Sequence, residues 1–322
     1  MNRRQAIIGA LAGAATASFA RRAAAETNLT IMVFPGLSNL PIYAAQAKGL
    51  FAKRGLAVDI KFAPGSEEQR AGLVAGRYQI VHSAVDNAVA VVELAKVDAA
   101  IVIGGDRGFQ QMFVTPEIAT YADIRGKTVL VDATNTAYAF FLYAMLKQNG
   151  LNAGDYAIKA VGATGFRLAG LKDRTGVAAM LNPPYSVLAE RAGLKQLGVA
   201  TQSIGAIQAT GGFVLRAWAK DNADILVAYL RAYIDGVRWA RDPVNRGEAI
   251  ALYVERLKLE GDIATRCYEA AITDGGLAKD ATFDLDGFRN VLRLRAEFEG
   301  GSPPQPDKYL DMSYYRRALA EI

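Results

Sequence analysis

The chain has 322 residues, 52% of them hydrophobic, with one cysteine, one histidine, and 37 Lys plus Arg against 32 Asp plus Glu. Such length and apolar content allow stability from burial in two lobes, and the lone Cys267 excludes an intrachain disulfide. Arg3, Arg4, Arg21 and Arg22 fall in the first 25 positions with no acid among them, leaving 33 basic against 32 acidic residues beyond. That balance gives no support for a nucleic-acid partner, which would need a clustered basic face.

Asn2-Arg3-Arg4-Gln5 precedes a weakly apolar Ala/Gly-rich run to Phe19, then Arg21-Arg22 and the small-residue site Ala23-Ala24-Ala25. This is an export signal cleaved after Ala25, and its paired arginines favour the twin-arginine route. About fourteen apolar residues fall short of the roughly twenty that a membrane span needs.

From Asn28 onward short β-branched runs alternate with helical composition. Leu29 to Phe34, Val58 to Phe62, Tyr78 to Val81 and Ala100 to Ile103 read as strands of a first α/β lobe. Ser66 is an N-cap candidate, with Gln69 completing a capping box. Gly104 to Gly108 is a hinge loop, followed by an extended Gln110 to Val114. A second α/β unit runs from Pro116 to about Ser203, with strands at Lys127 to Val131 and Val177 to Leu181. The Gly205 to Gly212 stretch and a strand from Phe213 to Trp218 form the return crossing.

The remainder is helical. Asp221 and Asn222 can cap a helix whose Leu226, Tyr229, Leu230, Tyr233 and Val237 share one face, and Asp242-Pro243 ends it. Ile250, Tyr253, Val254 and Leu257 repeat the pattern. In a later helix, which Asp286 can cap, Phe288, Val291, Leu292 and Phe298 form the apolar side, and Arg289, Arg293 and Arg295 the solvated side. The expected domains are therefore residues 26–113 with 213–322 as lobe one, and 114–212 as lobe two.

Four strand-loop-helix junctions imply parallel sheets, and ligands bind beyond the carboxyl ends of such strands. The polar residues there are Ser38 and Asn39, Ser66 and Glu67, Asp86 and Asn87, Asn135 and Thr136, and Asn182. Asn135 and Thr136 stand at a helix N-terminus, whose free N–H groups suit a polar or anionic group. Phe34, Phe109 and Tyr138 are aromatic candidates to pack on a ligand.

Catalytic and metal signatures fail. Ser83 and Asp86 are too close to His82 in sequence to make a persuasive triad, and Gly36-Leu37-Ser38-Asn39-Leu40 misses the last glycine of a nucleophile elbow. One histidine and one distant cysteine cannot supply a zinc set. Gly126-Lys127-Thr128 lacks the earlier glycine of a phosphate loop, and Asp284-Leu285-Asp286-Gly287 lacks the remaining ligands of a calcium loop. Convergent polar groups without a catalytic set describe recognition.

A run of landmarks then resembles a known group. They are Asn39-x-Pro41 with Ala47-Lys48-Gly49-Leu50-Phe51, Gly55-Leu56-x-Val58, Ala63-x-Gly65-Ser66 and Leu73-x-x-Gly76, then Pro116-Glu117-Ile118, Asp123-Ile124-Arg125-Gly126-Lys127 and Val131-Asp132. Asn149-Gly150-Leu151, Arg167-Leu168 and Asn182-Pro183-Pro184 complete the series. In this order they resemble the periplasmic substrate-binding proteins of ABC transporters, in the group of alkanesulfonate, taurine and nitrate binders and thiamine-pyrimidine-precursor binders.

The resemblance implies an α/β, type II periplasmic binding protein fold, with two lobes joined by a two-segment hinge. It implies an exported, monomeric, non-catalytic protein without a cofactor, which delivers a small solute to an ABC permease and its ATPase. The ligand-binding positions it implies are Gly36, Ser38, Asn39, Ser66, Glu67, Asp86, Asn87, Asn135, Thr136, Asn182 and Pro183, and the aromatic candidate Phe109 joins them as a ligand-binding expectation. Glu67 and Asp86 weigh against a sulfonate or nitrate and toward a ligand bearing an amine, ring N–H or hydroxyl donor; an Arg107 pointing inward would reverse that. The rivals are a ligand sensor and an enzyme on the same fold, although a related synthase would need a cysteine-rich motif and Cys267 stands alone.

Overall fold

The computed structural model describes residues 26–273 and 275–322, so the expected export signal lies outside the described residues. Two five-stranded sheets organise the chain. The first contains β1 (Thr27–Val33), β2 (Leu56–Phe62), β3 (Ile80–Ala84), β4 (Ala99–Gly104) and β10 (Thr210–Leu215), in the order β2-β1-β3-β10-β4. The second contains β5 (Gln111–Val114), β6 (Thr128–Val131), β7 (Ala157–Ala160), β8 (Ala178–Leu181) and β9 (Lys195–Val199), in the order β7-β6-β8-β5-β9. β1 runs parallel to β2 and β3, and β6 parallel to β7 and β8. β10 and β5 are the antiparallel members, each the first strand after a crossing.

The chain thus crosses between sheets twice. The boundaries expected at 113/114 and 212/213 fall inside β5 and β10, so the crossings lie slightly earlier, in 105–110 and 205–209. The strand expected to continue to Trp218 stops at Leu215, and Arg216–Asp221 is helical.

Burial follows what covers each strand. The inner strand β8 is buried throughout, and so is β4, an edge strand whose outer side Leu310 meets at Ile101, whereas the edge strand β7 is exposed along its length. Helices cover both sheets. The helix Leu40–Ala47 packs on the helix Ala223–Arg241 at Gly236, where an added Cβ would stand 2.2 Å from the Pro41 carbonyl oxygen. Gly236→Ala is therefore expected to destabilise by about 1–3 kcal/mol through overpacking, despite alanine's better helix propensity. Urea unfolding checks this, and a neutral or stabilised variant would contradict so close an approach.

The helix Leu285–Glu299 is a strap across both halves rather than a lobe-one element alone. Asn290 donates to the carbonyls of Ile204 and Ala206 on the return crossing, at 2.8 and 3.1 Å. Phe298 stacks on Phe140 of the helix Ala137–Gln148 at 5.9 Å. The cap of the strap is Asp284, which accepts from the Gly287 N–H at 2.9 Å; Asp286 lies in the first turn. One apolar cluster runs from Val81 and Val85 beneath the first sheet to Val129, Phe140 and Phe288, so the core is continuous across the junction.

Candidate functional site

A cavity lies where the carboxyl ends of the strands of both sheets meet. After β1, Phe34 to Asn39 forms one wall, with Asn39 Nδ2 donating to the Phe34 carbonyl at 2.7 Å and so fixing the turn. After β2, Gly65 rather than Ser66 caps the helix Ser66–Val74. Ser66 is free to face inward, and Gln69 accepts from Ser83 Oγ at 2.6 Å instead of closing a capping box. After β3, Asn87 Nδ2 donates to Ser66 Oγ and Ser83 Oγ, both at 3.3 Å.

The second sheet supplies the opposite wall. Asp132 follows β6, and Thr136 caps the helix Ala137–Gln148 by accepting from the Ala139 N–H at 3.4 Å. Ala163, Thr164 and Arg167 follow β7. Asn182 follows β8 and accepts from Thr164 Oγ1 at 3.0 Å.

The two walls touch. Ser66 Oγ donates to Asp132, and the Ala163 N–H donates to the Pro64 carbonyl at 3.0 Å. The free space between them is small. About 60 Å³ is open to the centre of a water molecule, against roughly 10–15 Å³ for one water site. The space suits a compact solute.

Arg167 is the buried cation of this cavity, 2% exposed. Nε donates to the Met180 carbonyl at 3.0 Å, Nη1 to the Gly162 carbonyl at 2.8 Å and Nη2 to Thr164 Oγ1 at 2.8 Å. Its guanidinium lies over the Tyr138 ring at 5.7 Å. Burial works against its charge, and Asp132 nearby supports it.

His82 contributes no charge, because burial holds its imidazole down to about pKa 3. It stacks on Tyr233 at 4.7 Å, and its Nε2 lies 3.0 Å from the Tyr229 hydroxyl. Gly212 of the neighbouring β10 makes room for it, since a Cβ there would stand 2.9 Å from the ring.

Asp106 sits behind the cavity and ties it to the hinge. It accepts from Ser38 Oγ at 2.7 Å, Thr210 Oγ1 at 2.5 Å and the Gly108 N–H at 3.1 Å, and burial pushes its carboxyl up. The Ala209 N–H at the end of the return crossing donates to the Asp106 carbonyl at 3.2 Å, so both crossings and the loop after β1 meet at one residue.

The cavity brings together Gly36, Ser38, Asn39, Ser66, Asn87, Thr136 and Asn182 from the expected set. It leaves the others aside. Glu67 is exposed. Asp86 is fully buried and bonded to Arg295 at 2.8 Å. Phe109 packs against a separate apolar cluster that includes Leu37, Leu40, Tyr43 and, from the second half, Val187. Asn135 accepts from Arg70 at 3.4 Å and lines a separate depression with Phe140 and Phe298. Pro183 is buried off the wall, its carbonyl accepting from the Leu37 N–H at 3.5 Å. Arg107 also points elsewhere, donating to Thr282 at 3.4 Å.

Sequence reasoning missed Asp132, Arg167, Thr210 and Tyr233 as wall residues. Arg167 stood only as a landmark and Tyr233 only as part of an apolar helical face. Nothing local distinguishes either from a surface arginine or a core tyrosine. Among the described residues no cluster of His, Cys, Asp and Glu could hold a metal ion, and no helix is long and apolar enough to cross a membrane.

Two lobes closing on a polar cavity define the architecture of the periplasmic binding proteins. The model of the NMT1/THI5-like family matches residues 38–245, and the chain belongs to that family. A solved protein from Bordetella bronchiseptica RB50 is similar at 20% identity and TM-score 0.80, covering 92% of this chain and 98% of its own. The ligand-binding component of an ABC-type import system from Staphylococcus aureus, solved with zinc bound, gives 14% and 0.78, covering 91% and 99%. The periplasmic nitrate-binding protein NrtA from Synechocystis PCC 6803 gives 14% and 0.77, covering 92% and 89%. No curated protein sequence matches this chain.

Proposed function

We propose that this is an exported solute-binding protein, which captures a small solute between its lobes and presents it to an ABC permease driven by an ATPase. The observation that carries this reading is the cavity itself. It is walled by both sheets, between which the chain crosses at 105–110 and 205–209, and it is closed by Ser66 on Asp132 and Ala163 on Pro64. Polar contacts that exist only with the lobes together, around a site that both lobes line, are what hinge closure on a ligand requires.

In this reading residues 26–104 and 210–322 move against 111–204, with the two crossings as the hinge. The signal before Glu26 directs the chain to the periplasm by the twin-arginine route, and the mature protein acts as a monomer. No chemical step is assigned. A histidine held neutral by burial is a poor base at neutral pH, and Cys267 is a buried thiol pushed up to about 12.

The test is a thermal-shift screen of the chain from Glu26 to Ile322 against carboxylates, sulfonates, nitrate, amines and pyrimidines. A ligand that binds only the folded state raises the melting temperature by mass action, about 2.7 kcal/mol at a hundred times Kd. A dose-dependent rise, with the compound recovered unchanged, is expected for one class. Conversion of the compound would overturn the reading in favour of an enzyme.

A further inference from the structure

The strap Leu285–Glu299 is fastened in three places. At its start the Asp284 N–H donates to Gln208 Oε1 at 2.6 Å, and Asn290 donates to two carbonyls of the return crossing, so this part rides on the hinge. On the first lobe, Phe288 stands edge-on to Tyr309 at 6.2 Å and Arg295 is paired with the buried Asp86. The last turn reaches the second lobe. There Phe298 stacks on Phe140 and stands edge-on to Tyr143 at 5.6 Å, and Glu297 pairs with Lys147 at 2.8 Å.

Lobes that part must break one of these holds. Separating the buried Arg295 from Asp86 is strongly costly, whereas exposed ion pairs contribute little each. The last turn is the weaker hold. Lys147 and Glu297 are 52% and 30% exposed, and the half-buried Phe298 borders a depression of about 580 Å³. Phe298 also lies eight residues beyond Asn290, about 12 Å along the helix. A rotation that barely disturbs the contacts at the hinge therefore carries this turn off the second lobe.

Resting on the binding reading above, we propose that the last turn of the strap is a latch between the lobes, with Phe298, Glu297 and Lys147 as positioning residues for solute capture. The strap travels with the first lobe, and opening unstacks Phe298 from Phe140. None of the three lines the cavity. They act through the closed form, because apparent affinity falls in proportion to the fraction of molecules competent to bind. The latch thus sets how tightly a solute is held without touching it.

The test reads the distance between the lobes in the chain from Glu26 to Ile322 with no solute added. Spin labels at Lys61→Cys and Lys172→Cys, both exposed and one on each lobe, report it by pulsed dipolar spectroscopy, while the buried Cys267 stays unlabelled. The parent is expected to show a single short distance. Phe298→Ala should raise the open-to-closed ratio about tenfold, and Lys147→Glu, which sets a like charge against Glu297, should move it the same way. Phe298→Tyr keeps the ring and should match the parent. Should Phe298→Ala fail to fold, Lys147→Glu alters only an exposed pair and still decides. Variants that lose melting temperature but keep the short distance, or a parent already at the long one, overturn the latch whatever the thermal-shift screen returns. A screen without a shift in any class overturns the binding reading, whatever the distances.

Discussion

Asp86→Ala is expected to destabilise the protein by about 3–5 kcal/mol, the range found when a buried ion pair loses one partner. Asp86 is fully buried and lies 2.8 Å from Arg295 Nη1, and Arg295 is itself 4% exposed. Burial pushes the Asp86 carboxyl up, while Arg295 and the Ala137 N–H draw it back. Burial also opposes the charge of Arg295, yet Asp86 and Glu299 together hold the guanidinium above its ordinary value. Without Asp86 only Glu299, at 2.7 Å on the strap's own last turn, remains to compensate a cation lying over the Phe140 ring.

The double variant Asp86→Ala with Arg295→Met should recover much of the loss, because exchanging a buried pair for apolar side chains is often neutral. Urea unfolding of the single and double variants forms the cycle that tests this. A loss in the double variant equal to the sum of the losses in Asp86→Ala and Arg295→Met would mean that the pair is not coupled. The deficit should appear as stability, since the carboxylate is off the cavity wall. A fall in solute affinity exceeding the fall in stability would return Asp86 to the ligand site.

That pair marks a limit of what the sequence discloses. Arg289 and Arg293, four positions apart, share the solvated face and are exposed. Arg295 stands two positions further on, about 200° round the helix and on the side of Phe288, Val291 and Leu292, so the expected stripe of three is a misread period. Only its partner Asp86, more than two hundred positions away, is beyond the sequence. Ser66 reads as a cap because its neighbours look like a helix start, yet its hydroxyl is taken by Asp132 from the other sheet. Such partners are tertiary facts.

Local signals did better where the physics is local. The β-branched run before Asp132 forms β6, and Thr136 caps the following helix. The buried strands β4 and β8 declare themselves by continuous apolar runs. The edge strands β7 and β9 were not foreseen. Ala157–Ala160 and Lys195–Val199 pair on one side only and leave much of their length in solvent, so no alternation of apolar and polar residues is imposed on them. On the site, residues at strand ends could be named from turn chemistry, whereas Arg167 and Tyr233 come from helices whose inward faces only the assembled lobes reveal.

Acidification should cost stability through His82. An unfolded-state histidine titrates near 6.5, and burial lowers the folded value to about 3. Between these two values the unfolded chain binds the proton and the folded chain does not. The contribution of His82 is therefore fully present above about pH 6.5 and is lost as the pH falls toward 3, by up to roughly 1.4 kcal/mol per pH unit.

The groups that face the ring, Tyr229 and Tyr233, stay neutral throughout this range, burial having pushed both hydroxyls far up. Carboxyls oppose the trend. Asp86, Asp106 and Glu299 are all raised by burial, so the folded state holds their protons more tightly, and they add stability as the pH falls toward the ordinary carboxylate range. The raw pH profile of the protein mixes the two signs.

His82→Gln separates them. The chain has a single histidine, so the difference in unfolding free energy between parent and variant carries the imidazole term alone. The variant should be the less stable at pH 7, having lost the stack on Tyr233, and the gap should narrow by about 2–3 kcal/mol between pH 6.5 and 4.5. Urea unfolding at half-unit steps of pH measures it. A gap that stays constant would mean that the imidazole titrates as it does in the unfolded chain, and the neutral, buried His82 at the base of the cavity would have to be abandoned.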